Sequence, residues 1–256
     1  MSLMEVKDLT MRFGGITAVD NLDFEVIEGS ITALIGPNGA GKTSAFNCLT
    51  GFYKPSSGSI IYKGESLIEL KPHQITYKKI LRTFQNVRLF KNMTVLENIM
   101  SGAHSISSQF VMGALLRTKS QRKEEAEILR NAEHCLDFIG ISELKGSIVK
   151  NLSYGNQRRV EWARALAAKP DMLLLDEPAA GLNAEEKDKL IQLIRRFREE
   201  LGITVFLIEH DISLVMEISD KIIVLNFGKK IAEGTPAEVQ ANPLVIEAYL
   251  GTGEDE

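Results

Sequence analysis

The sequence predicts an α/β fold in which a largely parallel sheet carries an inserted helical subdomain, and three observations predict it. Short, mostly apolar runs at residues 31–35, 172–175, 204–208 and 221–225 stand beside amphipathic helical patterns, the layout of strands joined by crossover helices. A glycine-rich turn leads from the first of these runs directly into a helix. From about Gln85 onward the periodicity turns helical and persists for some sixty to seventy residues, which marks an insertion rather than further strands.

Taken in order, the opening third alternates apolar and polar residues at period two, as at Leu22, Phe24 and Val26. It is punctuated by Gly14, Gly15, Gly29 and Gly36, so it reads as short strands. A fully apolar strand at 31–35 then enters the glycine-rich turn, and a helix starts near Lys42. In the insertion, Thr94 and Glu97 stand at capping-box spacing ahead of Ile99 and Met100. Between residues 120 and 139, Ala126, Leu129, Ala132 or Glu133, and Leu136 recur at helical intervals and predict a buried stripe. A later helix begins at Ala184, with Asn183 as its cap and Glu186 completing the box. Leu190, Leu193, Ile194, Phe197 and Leu201 form its apolar stripe, and Gly202 ends it. Glu254, Asp255 and Glu256 read as a solvated tail.

Composition narrows the class of function. The 256 residues suffice for one large domain or for a core with one sizeable insertion. Hydrophobic content of 44% with 25% charged residues excludes disorder and disulfide scaffolds. A net charge of -4 gives no footprint for a phosphodiester backbone, so no nucleic-acid partner is expected. Cys48 and Cys135 form no CxxC or Cys/His spacing, which fits buried small hydrophobes in a reducing compartment without zinc. The apolar runs fall short of the roughly 20 residues a membrane helix needs, and the N-terminus lacks a signal-peptide layout. A cytoplasmic location is the expectation.

The chemistry concentrates in a few places. Gly36-Pro37-Asn38-Gly39-Ala40-Gly41-Lys42-Thr43 matches G-x-x-x-x-G-K-[ST] at every specified position. With average glycine usage near 7%, such a match arises by chance in roughly one chain of this length in a hundred, and the strand-to-helix context makes chance rarer still. Backbone N–H groups of such a loop turn inward on phosphate oxygens, the lysine carries charge to the β and γ phosphates, and the hydroxyl faces Mg²⁺. Asn38, Gly39, Ala40, Gly41, Lys42, Thr43 and Ser44 are therefore the candidate phosphate binders. Asp176 and Glu177 close an apolar strand, where paired carboxylates need a cation. Phosphate-bound Mg²⁺ supplies it, with Asp176 on the metal beside Thr43 and Glu177 polarising the attacking water. The guanine-reading Asn-Lys-x-Asp of GTPases is missing from the chain.

Leu152-Ser153-Tyr154-Gly155-Asn156-Gln157, followed by Arg158 and Arg159, resembles the LSGGQ signature of ABC ATPases. The resemblance implies an α/β P-loop ABC ATPase core, a mixed sheet with helices plus an N-terminal antiparallel β-subdomain, with an inserted helical subdomain. Residues 1–85 and 161–256 would form the ATP-binding core and 86–160 the inserted signature subdomain. It also implies a head-to-tail dimer with a second ABC ATPase chain, so that Ser153 and Gly155 meet the ATP held by the partner. Other family elements fall in order: Phe13 for stacking on adenine, Gln85 of the Q-loop as a metal ligand and catalytic group, Ala180-Gly181-Leu182-Asn183 as the D-loop, and His210 as the switch histidine beside Glu177. Taken alone, Phe13 is equally a core aromatic, Gln85 a surface polar residue and His210 a loop residue. His73, His104 and His134 match no motif, and Trp162 reads as core. Tyr154 stands where the family has glycine, Asn156 where it has glutamine and Asn183 where many members have aspartate.

Residues 82–90 and 174–183, Gly234-Thr235-Pro236, Asn242-Pro243 and Ala248-Tyr249-Leu250-Gly251 are similar to the ATPases of branched-chain amino-acid importers. The chain's length, including residues 104–120, is similar to the longer of the two ATPases such systems encode. The implied activity is ATP hydrolysis, with Mg²⁺, coupled to import. Its implied partners are a shorter paralogue, membrane permease subunits and, indirectly, a substrate-binding protein, at the inner face of the cell membrane. Similar ATPases serve urea, short amides or lipopolysaccharide export. Soluble ABC ATPases carry tandem cassettes, coiled-coil arms or basic patches that this sequence lacks, and a P-loop kinase would leave Ser153 and His210 without a task.

Overall fold

The computed structural model describes residues 1–83, 85, 87–104 and 119–250. The acidic tail at Glu254, Asp255 and Glu256, Gly251, Phe84, Asn86, the stretch 105–118 and the side chains of His104 and Ser120 lie outside the described residues. Contacts divide the chain into two compact units, Met1–Ile75 with Asp171–Glu256, and Thr76–Pro170.

The first unit opens with β1 (Ser2–Phe13) and β2 (Ile16–Ile27), an antiparallel hairpin turning at Gly14 and Gly15. Each strand runs for 12 residues, longer than the glycine punctuation predicts. Register shifts between Val6 and Leu9 and positive φ angles at Asp8 (50°) and Asn21 (48°) absorb the irregularity without ending the ladder. Leu22, Phe24 and Val26 are buried, as the alternation predicts. Then come β3 (Ile31–Ile35), α1 (Lys42–Leu49), β4 (Ser57–Tyr62), β5 (Glu65–Ser66) and α2 (Pro72–Tyr77). The antiparallel sheet has the order β2-β1-β4-β5.

Chain order then passes through β6 (Ile80–Arg82), α3 (Val95–His104), α4 (Lys119–Ile139) and α5 (Tyr154–Ala167), all in the second unit. The first unit resumes with β7 (Met172–Asp176), α6 (Ala184–Glu199), β8 (Thr204–Ile208), α7 (Ile212–Ile218), β9 (Lys221–Asn226), β10 (Lys229–Gly234), α8 (Pro236–Gln240) and α9 (Pro243–Leu250). Its main sheet has the order β10-β9-β3-β8-β7, parallel except for the terminal hairpin that adds β10. Every residue of β3, β7 and β8 is buried, which is why these strands read as apolar runs rather than as alternations.

Phe206 on β8 holds this unit's core together. Its ring stacks on Phe24 of β2 at 5.5 Å and on Phe46 of α1 at 5.9 Å, joining both sheets to the helix that follows the glycine-rich turn. Helix α6 has the expected capping box: the Asn183 side chain accepts the Glu186 N–H at 2.9 Å, and Glu186 accepts the Asn183 N–H at 3.0 Å. Its buried face comprises Leu190, Ile191, Ile194 and Phe197. Leu201, placed on that face by periodicity, is 39% exposed. The helix stops at Glu199 and Gly202 turns left-handed at φ 67°, so Leu201 lies beyond the last turn and leaves the stripe. Cys48 is buried and its thiol is pushed up to about 11 by burial, consistent with an inert packing role. His73 is exposed.

In the second unit α3, α4 and α5 pack on one another. The sequence predicts helical periodicity from about Gln85, but β6 takes residues 80–82 and the described residues 87–94 are not helical, so helix begins only at Val95. Thr94 and Glu97 form the expected box: the Thr94 hydroxyl accepts the Glu97 N–H at 3.2 Å and Glu97 accepts the Thr94 N–H at 2.7 Å. The stripe of α4 is displaced from the predicted one. Ile128, Ala132, Cys135, Leu136 and Ile139 are buried, whereas Leu129 is 36% exposed. The face through Ile128 and Cys135 collects more apolar residues at i, i+4 and i+7 than the face through Ala126, and burial follows the larger set. Gly102 of α3 packs so closely on α5 that a Cβ there would lie 2.1 Å from the Arg164 carbonyl oxygen. Trp162 is buried, His134 is exposed, and burial pushes the Cys135 thiol up to about 12.

Replacing Phe206 by alanine removes the ring shared by both sheets of the first unit, and a loss of about 3–5 kcal/mol is expected in equilibrium urea unfolding. A loss below about 1 kcal/mol would show that the sheets and α1 are held together by other contacts.

Candidate functional site

The site begins where β3, the strand between β8 and β9, runs out at Ile35 and the glycine-rich turn hands the chain to α1. Gly41 occupies the N-cap position in a left-handed conformation (φ 98°), and a Cβ on it would sit 2.1 Å from the carbonyl oxygen of Ala18. Only glycine fits there. No side chain caps α1, and its first helical bond runs from the Ala45 N–H to Gly41 at 3.0 Å. The N–H groups of Lys42, Thr43 and Ser44 therefore form the open helix N-terminus, an anion-binding arrangement. Asn38, Gly39 and Thr43 are exposed, Ser44 is half-buried and Ala40 is buried.

Lys42 is only 5% exposed. Its ammonium donates to the carbonyls of Gly36 at 2.7 Å and Pro37 at 2.9 Å, folding back over the loop. Burial holds it below the ordinary lysine range, and the charge of Glu177 opposes that shift. A buried cation whose bonds run to neutral carbonyls is well suited to take an anion in their place. Burial pushes the Tyr249 phenol on α9 up to about 12, and the backbone of Gly36 opposes that shift.

The opposite wall comes from the ends of β7 and β8. Asp176, the last residue of β7, is buried and stands in register with Ile208. Glu177 follows at φ 47°, a left-handed backbone that few non-glycine residues adopt, with its N–H donated to Ile208 at 3.0 Å. That turn aims the Glu177 carboxylate at His210: Oε1 lies 2.7 Å from Nε2, and an ionised carboxylate can only accept, so Nε2 donates. Lys42, Glu177 and His210 are thus brought together within one unit.

Phe13, at the end of β1, is 42% exposed and meets Tyr53 edge-on at 5.3 Å. It is not a core aromatic; one ring edge is braced and the rest is open to stacking. No sequence signal marks Tyr53, since an aromatic just after α1 belongs to no motif. None marks Glu209 either. It is 3% exposed, and its carboxylate accepts the N–H groups of Ala179 at 2.6 Å, His210 at 3.0 Å and Asp211 at 3.4 Å. Burial pushes its pKa up while those bonds pull the other way. Asp211 caps α7 through the Leu214 N–H at 3.2 Å and pairs with Lys187 of α6 at 2.5 Å, a bond that lowers its pKa.

The remaining candidates lie in the second unit. Ser153 caps α5, its hydroxyl accepting the Asn156 N–H at 3.4 Å, and Gly155 follows half-buried in the first turn. Gln85 is exposed, and its backbone carbonyl accepts from the Tyr154 hydroxyl at 3.3 Å and from Arg158 at 3.1 Å. The Arg158 guanidinium lies 5.4 Å from the centre of the Tyr154 ring. Tyr154 thus makes a contact that the family's glycine has no atoms to make.

The ABC transporter family profile matches residues 19–180, and a profile for branched-chain amino acid ATP-binding cassette transporters matches residues 229–255. The chain is 48% identical over 249 residues to the high-affinity branched-chain amino acid transport ATP-binding protein BraF of Pseudomonas aeruginosa, covering 97% of this chain and 98% of that one. Identity and coverage are the same for LivG of Escherichia coli K12. Among solved structures it resembles the ADP conformation of MJ1267, an ATP-binding cassette of an ABC transporter, with TM-score 0.85, 31% identity, and coverage of 98% and 100% of the two chains. It also resembles the dimeric post-hydrolysis state of the cassette MJ0796 bound to ADP and Pi, with TM-score 0.76, 26% identity, and coverage of 91% and 98%.

Gly41→Ala is expected to weaken binding of a fluorescent ATP analogue by about tenfold or more, through strain and collision with Ala18. Gly146→Ala, whose Cβ meets nothing within 4 Å, is the matched control and should bind as the parent does.

Proposed function

The chain belongs to the ABC transporter family of ATP-binding cassettes, and on that premise we propose that it drives a branched-chain amino-acid importer by hydrolysing ATP at the site built from Lys42, Glu177 and His210. One observation carries the catalytic part: the 2.7 Å bond between Glu177 and His210 beside the buried ammonium of the phosphate loop. The transported substrate rests on the names of the relatives and on the match at residues 229–255.

In this reading the N-terminus of α1 and Lys42 bind the β and γ phosphates, and Phe13, braced by Tyr53, stacks on the adenine. Glu177 takes the proton from the attacking water, while His210 fixes the carboxylate through Nε2 and orients the γ-phosphate. The hydroxyl of Thr43 and the carboxylate of Asp176 are hard oxygen donors that fit Mg²⁺. The β and γ phosphates of ATP would bring oxygen donors of their own to such an ion. When bound, Mg²⁺ supplies charge neutralisation to those oxygens. Gln85, in the second unit, is proposed in the catalytic and metal-binding role that the family resemblance gives it.

The exposed N-terminus of α5, with Ser153 and Gly155, is a second anion site that this chain's own phosphate loop leaves without a task. We assign it to the ATP of a second cassette in a head-to-tail dimer. Core and helical-subdomain roles are proposed for the two units. No helix among the described residues is long and apolar enough to cross a membrane, so permease subunits would hold the dimer at the inner face of the cell membrane. A substrate-binding protein would deliver the amino acid from the other side.

Glu177→Gln keeps the shape of the site and loses the base. It should bind Mg-ATP, accumulate as a closed dimer on gel filtration and lose turnover by about 10²–10⁴-fold. Parental turnover in that variant would falsify the assignment. Lys42→Ala should instead lose nucleotide affinity. Co-reconstituted with its permease and binding protein, the chain should support ATP-dependent uptake of labelled leucine; uptake of urea in its place would redirect the substrate.

A further inference from the structure

Glu209 is a carboxylate buried among the catalytic elements with no part in the mechanism above. Its Oε1 accepts the Ala179 N–H at 2.6 Å, 30 residues back in the chain, and its Oε2 accepts the His210 N–H at 3.0 Å and the Asp211 N–H at 3.4 Å. One oxygen therefore holds the turn that carries Glu177, and the other holds the segment that carries His210. We propose that Glu209 is a positioning residue that yokes the catalytic base to the switch histidine. The inference rests on the roles given above to Glu177 and His210 and concerns how they are kept in register.

Three features support it. Glu177 sits at φ 47°, a conformation that persists only when its surroundings hold it. Its own backbone has two such holds, the Glu177 N–H bonded to Ile208 at 3.0 Å and the Ala180 N–H bonded to the Glu177 carbonyl at 3.2 Å. Glu209 fastens the Ala179 N–H within the same turn. Second, the carboxylate is kept although burial opposes its charged form, and the backbone N–H groups it satisfies belong to the two turns that carry Glu177 and His210. Third, the residue type matches the geometry. A carboxylate accepts at both oxygens at once, whereas an amide has one acceptor and would turn its NH₂ toward an N–H that is already a donor. The Asp211–Lys187 pair extends the linkage to α6, so the turn after β7, the turn after β8 and the helix that follows Asn183 are tied through the side chains of Glu209 and Asp211.

The test uses the full chain and compares Glu209→Gln, Glu209→Asp and Glu177→Gln in steady-state ATP hydrolysis, binding of a fluorescent ATP analogue and urea unfolding. Glu209→Gln should lower kcat by about 10–100-fold while KM and analogue affinity stay within about twofold and the unfolding midpoint holds. Glu209→Asp keeps the charge but is one methylene too short to span both segments, and should also lose kcat. It carries the test if the glutamine variant does not fold. Parental kcat in either Glu209 variant, beside an inactive Glu177→Gln, overturns the yoke and leaves the base assignment standing. Affinity and unfolding midpoint falling together with kcat in both Glu209 variants would make Glu209 a structural carboxylate only and overturn the yoke as well. Parental turnover in Glu177→Gln overturns both.

Discussion

Because Ile208 of β8 stands opposite Leu34 of β3 on one side and Asp176 of β7 on the other, three segments far apart in sequence leave the main sheet at the same level. The phosphate loop follows β3, Glu177 follows β7, and Glu209 and His210 follow β8. Parallel pairing makes all three exits point the same way, so one end of the sheet receives a cation, a carboxylate and its histidine partner without any long loop to carry them. A one-residue slip of β8 would move His210 away from Glu177 and turn buried side chains toward the wrong face. The stacked rings of Phe24, Phe206 and Phe46 hold against such a slip.

Electrostatics then decides what that end can do. Lys42 is buried and bonded to loop carbonyls, and the charge of Glu177 acts on it against the effect of burial. An anion entering the loop gains from both the ammonium and the helix terminus, which cost the same burial whether or not the anion is present. The carboxylates differ in office. Glu177 faces the histidine at the mouth of the site, whereas Glu209, on the neighbouring strand end, commits both oxygens to backbone N–H groups. Their surroundings separate a carboxylate that faces a histidine side chain from one that holds the backbone.

Much of this is legible in the sequence where function imposes a residue type at a fixed spacing. The loop from Gly36 to Thr43 can be placed because glycine, lysine and a hydroxyl at those intervals suit a phosphate cradle and little else. The strands at 31–35 and 204–208 can be placed because unbroken apolar runs of that length must be buried on both faces, and the acids at 176 and 177 because they end such a run. Less legible are features set by contacts distant in the chain. Glu209 follows an apolar strand, as many surface acids do, and only the fold shows Ala179 beneath it. Tyr53 is meaningful only because Phe13 arrives against it. The stripe on α4 departs from the predicted one because Leu129 and Ile128 are equally apolar, and the larger apolar set through Ile128, Cys135 and Ile139 shows only when both faces are counted. The ladder position of β10 depends on β9 already being an edge to pair with.

Two departures from the family pattern are physically accounted for. Asn183, where many members have aspartate, serves as the N-cap of α6, and its carbonyl oxygen accepts the Glu186 N–H as a carboxylate oxygen would. The cap needs an acceptor, not a charge, so the substitution leaves the helix start intact. Tyr154, where the family has glycine, adds a side chain at the first position of α5 that reaches the Gln85 carbonyl and stacks with Arg158. A glycine there would leave Arg158 as the contact to that carbonyl from this helix start. The phenol therefore supplements a tether that the arginine makes on its own, and it does so without engaging the Ser153 hydroxyl, which caps the Asn156 N–H.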